Sequence, residues 1–198
     1  MKTTLIKEIL TDEHLEQLRD QCTHPRDLAM VDLLISTGIL VGELVNLNCS
    51  DINFEERECV VLGKGDKERK VYFDAKTKVH LMQYLSSRID SNPALFVSLC
   101  APWNRLSIAG IEKILKVLGK KSEIQHVHPH KFRRTMATMA IEKGMPIEQV
   151  QKLLGHTKID TTLHYAIVNQ INVKIPSGHI NRNLPASKLT PAHPALFL

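Results

Sequence analysis

Apolar residues recur at three- and four-residue intervals through most of this chain, the spacing of helices that bury one face. Thr11 is placed to cap a helix with Asp12 and Glu13 in its first turn and Leu15 and Leu18 on one side. Pro25 opens a second helix carrying Leu28, Val31, Leu34 and Ile35, and Gly38 stops it. A shorter helical piece follows from Glu43 to Leu47. The period then changes: Cys59 to Leu62 and Arg69 to Phe73 read as two antiparallel strands around the polar turn Gly63-Lys64-Gly65-Asp66-Lys67-Glu68.

Helical spacing returns with Val79, Leu81, Tyr84 and Leu85. Residues 94–99, after Pro93, suit a short strand or extended segment. Ser107 caps a helix bearing Ile108, Ile111, Leu115 and Leu118 up to Gly119. Three helices then follow closely, one from His130 to about Gly144, one from Pro146 to Leu154, and one from Asp160 to about Val168. The pattern predicts a mainly helical α+β domain over residues 1–168 with a small antiparallel sheet of two or three strands. Residues 169–198 hold Pro176, Pro185, Pro191 and Pro194 with little periodicity, and are expected to form a flexible tail.

Composition narrows the function. A 198-residue chain that is 43% hydrophobic suits one globular domain, and 26 Lys and Arg against 21 Asp and Glu give +5, a lean toward an anionic partner. Cys22, Cys49, Cys59 and Cys100 form no Cys-x-x-Cys pair, so neither a zinc ribbon nor a disulfide framework is indicated. The amino terminus lacks the apolar stretch of a secretion signal, and no apolar run is long enough to span a bilayer; a cytoplasmic protein without membrane contact is expected.

Chemistry gathers near the carboxy end, where His130 and Arg133 lie three positions apart on one helix face at the edge of an apolar stripe formed by Phe132, Met136, Met139 and Ala140. His156 follows a helix-ending glycine, and Tyr165 comes nine residues later. A guanidinium fork, two imidazoles and a phenol can together grip and attack a phosphate. Each has a plainer reading: a solvated basic helix start, a loop histidine, a packing tyrosine. His126, His128 and His130 alternate as zinc ligands can, but Pro129 interrupts them and no acidic or cysteine ligand lies nearby, so no metal site is indicated.

In combination, His-x-x-Arg, then Leu-Gly-His, then the tyrosine, preceded by a Gly-Lys-Gly turn between strands, resemble the catalytic domain of the tyrosine recombinases, the phage-integrase family. Thr135 to Thr138 and Thr161-Thr162 fit the same pattern, and the resemblance spans roughly Thr11 to Val168. It implies site-specific recombination or integration of double-stranded DNA, in the service of a phage, another mobile element or a host process. Tyr165 would attack a phosphodiester to form a 3′-phosphotyrosyl link, without metal, ATP or other cofactor. Arg133 would hold the nonbridging oxygens, His130 would assist proton removal from Tyr165, His156 would hydrogen-bond the phosphate, and Lys64 would protonate the departing 5′ oxygen. Lys67, Arg69, Lys70, Arg105, Lys131 and Arg134 would neutralise DNA backbone charge.

One position departs from the pattern. The family's Thr-Gly-x-Arg segment reads here Thr37-Gly38-Ile39-Leu40, so Leu40 stands where the first phosphate-binding arginine belongs. Leucine neither donates a hydrogen bond nor balances charge, so impaired cleavage is expected, with a loss of ~10²–10³ in rate by analogy with removing one oxyanion donor. Arg134, where a histidine is usual, is a milder change. Members of the family usually carry an amino-terminal helical domain and assemble on DNA as tetramers through a segment beyond the tyrosine. Here only about ten residues precede the first helix, which implies a fragment or a truncated product with weak DNA binding. A non-catalytic DNA-binding relic or regulator and a type IB topoisomerase-like enzyme remain as alternatives.

Overall fold

The computed structural model describes residues 8–63 and 68–155. The first helix, α1 (Asp12–Asp20), starts where Thr11 Oγ1 accepts a 3.2 Å hydrogen bond from the His14 amide. The second, α2 (Pro25–Thr37), has Pro25 in its first turn and ends on Gly38 in the left-handed conformation. Nine of its side chains are buried on all sides, among them Met30, Val31, Leu33 and Leu34, because α2 runs through the centre of the core.

The third helix, α3 (Val41–Asn46), starts two residues before the predicted Glu43. Its first turn closes because the Glu43 carboxylate reaches back 2.7 Å to accept from the Leu40 amide. A single 3-10 turn at Cys49–Asp51 leads into the sheet of β1 (Ile52–Asn53), β2 (Glu58–Leu62) and β3 (Glu68–Tyr72), antiparallel in the order β1-β2-β3. Cys59 faces Val71 and Val61 faces Arg69 across the hairpin. Cys59, Val61 and Val71 turn into the core, leaving Val60, Leu62 and Tyr72 exposed on the other face.

Four more helices complete the described fold: α4 (Ala75–Ser86), α5 (Ile108–Lys121), α6 (Pro129–Glu142) and α7 (Ile147–Leu154). α4 and α6 pack on α2, and α7 packs on α6. α5 continues two residues past Gly119. That glycine does not end the helix; it admits Val127, whose Cγ2 would lie 2.6 Å from a Cβ at this position. Residues 94–99 form no strand: the segment bends at Leu95, Phe96 and Leu99 and is held by isolated bridges from Ala94 to Asn48 and from Val97 to Arg105. Burial pushes the thiols of Cys22 and Cys59 up to about 12, so both remain protonated apolar groups at neutral pH. The helix expected from Asp160 to Val168 and the tail at 169–198 lie outside the described residues.

Candidate active site

Two helix ends and a strand meet at one place. α2 terminates at Gly38 and α7 at Gly155, both left-handed, with φ of 61° and 68°. Arg133, on α6, is only 4% exposed and joins these ends: Nη1 donates to the Gly38 carbonyl at 2.7 Å and Nη2 to the Leu154 carbonyl at 2.5 Å. Carbonyls at helix C-termini carry partial negative charge, so the buried guanidinium has electrostatic support from both helices.

Leu40 lies two residues past Gly38, as the residue that precedes α3, and is 38% exposed. Glu43, 6% exposed, accepts from the Leu40 amide and is also held by Arg69 of β3. Arg69 Nη2 donates to Glu43 Oε2 at 3.0 Å, Nη1 pairs with Oε1, and Nε donates to the Leu153 carbonyl at 3.4 Å. The fold thus brings Arg133, position 40, Glu43, Arg69 and residues 153–155 into one cluster. His130, three residues before Arg133 on the second position of α6, is exposed. Lys64, Lys67, His156 and Tyr165 lie outside the described residues.

The remaining cations are placed differently from one another. Lys70 is exposed and pairs with Glu58 at 2.8 Å; that hydrogen bond and charge raise its pKa. Arg105 donates to the carbonyls of Val45 and Leu47 at 2.7 and 2.9 Å, a guanidinium closing the C-terminus of α3. Lys131 is 2% exposed, with Nζ 2.9 Å from the Gln125 carbonyl, and burial lowers its pKa. Arg134 reaches the Glu8 carbonyl at 3.3 Å. In the free protein Arg69, Arg105 and Lys131 are therefore engaged with the protein itself. Among the described residues no group of three His, Cys, Asp or Glu side chains is placed to hold a metal ion. No described helix is long and apolar enough to cross a membrane.

Charge type alone did not single out the Glu43–Arg69 pair, but a signal for half of it exists. Glutamate three residues after a helix-preceding position has the spacing of a capping box, and Glu43 stands so relative to Leu40. Its link to Arg69 spans 26 residues and could be found only from the fold.

These elements, mainly helical with a small three-stranded antiparallel sheet, are those of a tyrosine recombinase catalytic domain. The sequence model of the phage integrase family matches residues 8–171, and the chain belongs to that family. It is 38% identical over 148 residues to the tyrosine recombinase XerC of Mannheimia succiniciproducens, covering 73% of this chain and 50% of that one. It is 32% identical over 195 residues to XerC of Staphylococcus aureus, covering 94% and 65%. The chain therefore spans about half to two thirds of the length of these curated relatives. Among solved structures, the XerA recombinase superposes with a TM-score of 0.74 at 33% identity, over 83% of this chain and 60% of that one. The Tn1549 transposon integrase, solved with a circular intermediate DNA, shares the fold with a TM-score of 0.71 at 20% identity, over 80% and 61%.

Proposed function

We propose that this chain is the catalytic domain of a site-specific DNA recombinase, with the domain proper at residues 1–168 and a carboxy-terminal tail beyond it. The carrying observation is Arg133, a buried guanidinium fixed between two helix ends, one of them at Gly38, two residues before position 40. Membership in the phage integrase family supports double-stranded DNA as the partner, as do recombinases of the same fold solved on DNA, including XerH bound to its difH substrate.

In this reading the Tyr165 phenol oxygen attacks a backbone phosphorus, a 3′-phosphotyrosyl bond forms, and the bond to the 5′ oxygen breaks. His130 takes the phenolic proton and Lys64 delivers a proton to the leaving oxygen. Arg133 and His156 hold the nonbridging oxygens as charge builds on them. Attack by another 5′-hydroxyl reverses these bonds and rejoins the strands, so no cofactor enters the cycle. Assembly on DNA as a tetramer follows the same reading. Lys67, Arg69, Lys70, Arg105, Lys131 and Arg134 would contribute to backbone charge neutralisation, those bonded within the protein only where DNA draws them from their present partners.

Leu40 makes the chemistry weak. With one cationic clamp missing, charge on the phosphorane oxygens rests on Arg133 and the histidines. A second reading follows from the same residue: a DNA-binding relic or regulator that no longer cleaves. Incubation with nicked duplexes of randomised sequence, followed by denaturing electrophoresis, separates the two. A covalent protein–DNA adduct that disappears in Tyr165→Phe supports the recombinase. Binding without adduct, even in Leu40→Arg, supports the relic.

A further inference from the structure

We infer that Arg69 is a positioning residue, setting the register between three separate pieces of the site; this rests on the recombinase reading above. The side chain projects from β3 on the face that carries the buried Val71, and is 17% exposed. Its two terminal nitrogens hold both oxygens of Glu43, whose Oε2 in turn fixes the Leu40 amide at the start of α3. Its Nε donates to the Leu153 carbonyl in the last turn of α7. The guanidinium also crosses Gly155, where a Cβ would lie 3.1 Å from Nε and 3.3 Å from Cζ.

Each contact belongs to a different catalytic segment. Glu43 and Leu40 mark the first-arginine position, Gly155 immediately precedes His156, and Arg69 itself follows Lys64 by five residues in the hairpin. Arg133 ties two of the same segments a second time, through Gly38 and Leu154. Only arginine fits this task. Its planar fork serves a carboxylate bidentately while Nε still points sideways to a carbonyl, whereas lysine offers one compact charge. Glu43 is 6% exposed, and a carboxylate buried to that degree requires such a partner.

The test compares the full chain with Arg69→Met and Arg69→Lys by amide hydrogen exchange, duplex binding, and adduct formation on the nicked randomised duplexes. Adduct formation is measured with and without Leu40→Arg. Loss of charged hydrogen bonds should speed exchange about tenfold at residues 40–44 and 152–155 in both variants, while α1 and α4 keep their protection. Adduct formation should fall ~10²-fold, as for small misplacement of catalytic groups, with affinity for intact duplex unchanged and no rescue by lysine. Unchanged exchange at those two segments overturns the proposal. So does uniformly faster exchange across the protein, which marks Arg69 as a stability residue, and so does reduced duplex affinity with normal exchange, which marks it as a backbone contact. If no chain forms adduct, Leu40→Arg included, the recombinase reading fails and the catalytic role of Arg69 fails with it. Exchange then still reports whether the register depends on this side chain.

Discussion

Leu40 and Gly38 sit two residues apart, yet one bears on chemistry and the other on packing. At Gly38 the backbone takes a left-handed φ of 61°, and the Met136 side chain occupies the space a Cβ would need. Gly38→Ala therefore adds backbone strain and must push the Met136 terminal methyl aside, and thermal or urea unfolding should register a loss of about 1–2 kcal/mol. Because the Gly38 carbonyl also holds Arg133, the variant should lose more adduct formation than its stability loss explains. Leu40, by contrast, is surface-exposed at the lip of the cluster. Replacing it leaves the core intact. At the residue scale the two helix-stopping glycines, Gly38 and Gly155, were legible in the sequence, and both take the left-handed conformation. The sequence did not show that Arg69, Arg105 and Lys131 bond inward, because a cation that satisfies a buried carboxylate or carbonyl reads the same, one residue at a time, as one that faces solvent.

Elements are tied together at points of buried charge. Asp32 on α2 is 1% exposed, accepts from Arg19 Nε of α1 at 2.7 Å and pairs with His80 of α4. Asp32→Ala should cost about 3 kcal/mol, because Arg19 then loses its buried ion-pair partner and His80 the carboxylate that bonds its ring nitrogen. Chemical denaturation measures this directly. The start of α6 carries a pH dependence. Burial, and then the cations Arg134, His130, Lys131 and His126 in that order, lower the pKa of His128. The unfolded chain therefore takes up this proton first as pH falls. The stability tied to neutral His128 is fully present above the ordinary value of 6.5 and is lost as pH drops through it toward the folded-state value. The melting temperature should decline across that window, and His128→Asn should decline less. Periodicity and caps located these helices well, since Thr11, Pro25 and Ser107 act locally. They allowed a third strand without placing it, since β1 has two residues and is too short to carry alternation, and they missed the added residues of α3 and α5, whose limits come from Glu43 and Val127.

For the whole molecule, membership in the phage integrase family and the shared recombinase fold agree with the order of motifs along the chain. The family's motif order was legible because it lies in short local segments. How Arg69 and Arg133 draw those segments together was not, because their partners stand 21 to 95 residues away. The proposed recombinase site, short of one cationic clamp, is tested by the rate of covalent adduct formation on nicked duplex by the unaltered chain and by Leu40→Arg. A restored guanidinium should raise that rate by ~10²–10³-fold, with every adduct abolished by Tyr165→Phe. Equal rates in the unaltered and Leu40→Arg chains, or adducts that survive loss of Tyr165, would contradict it.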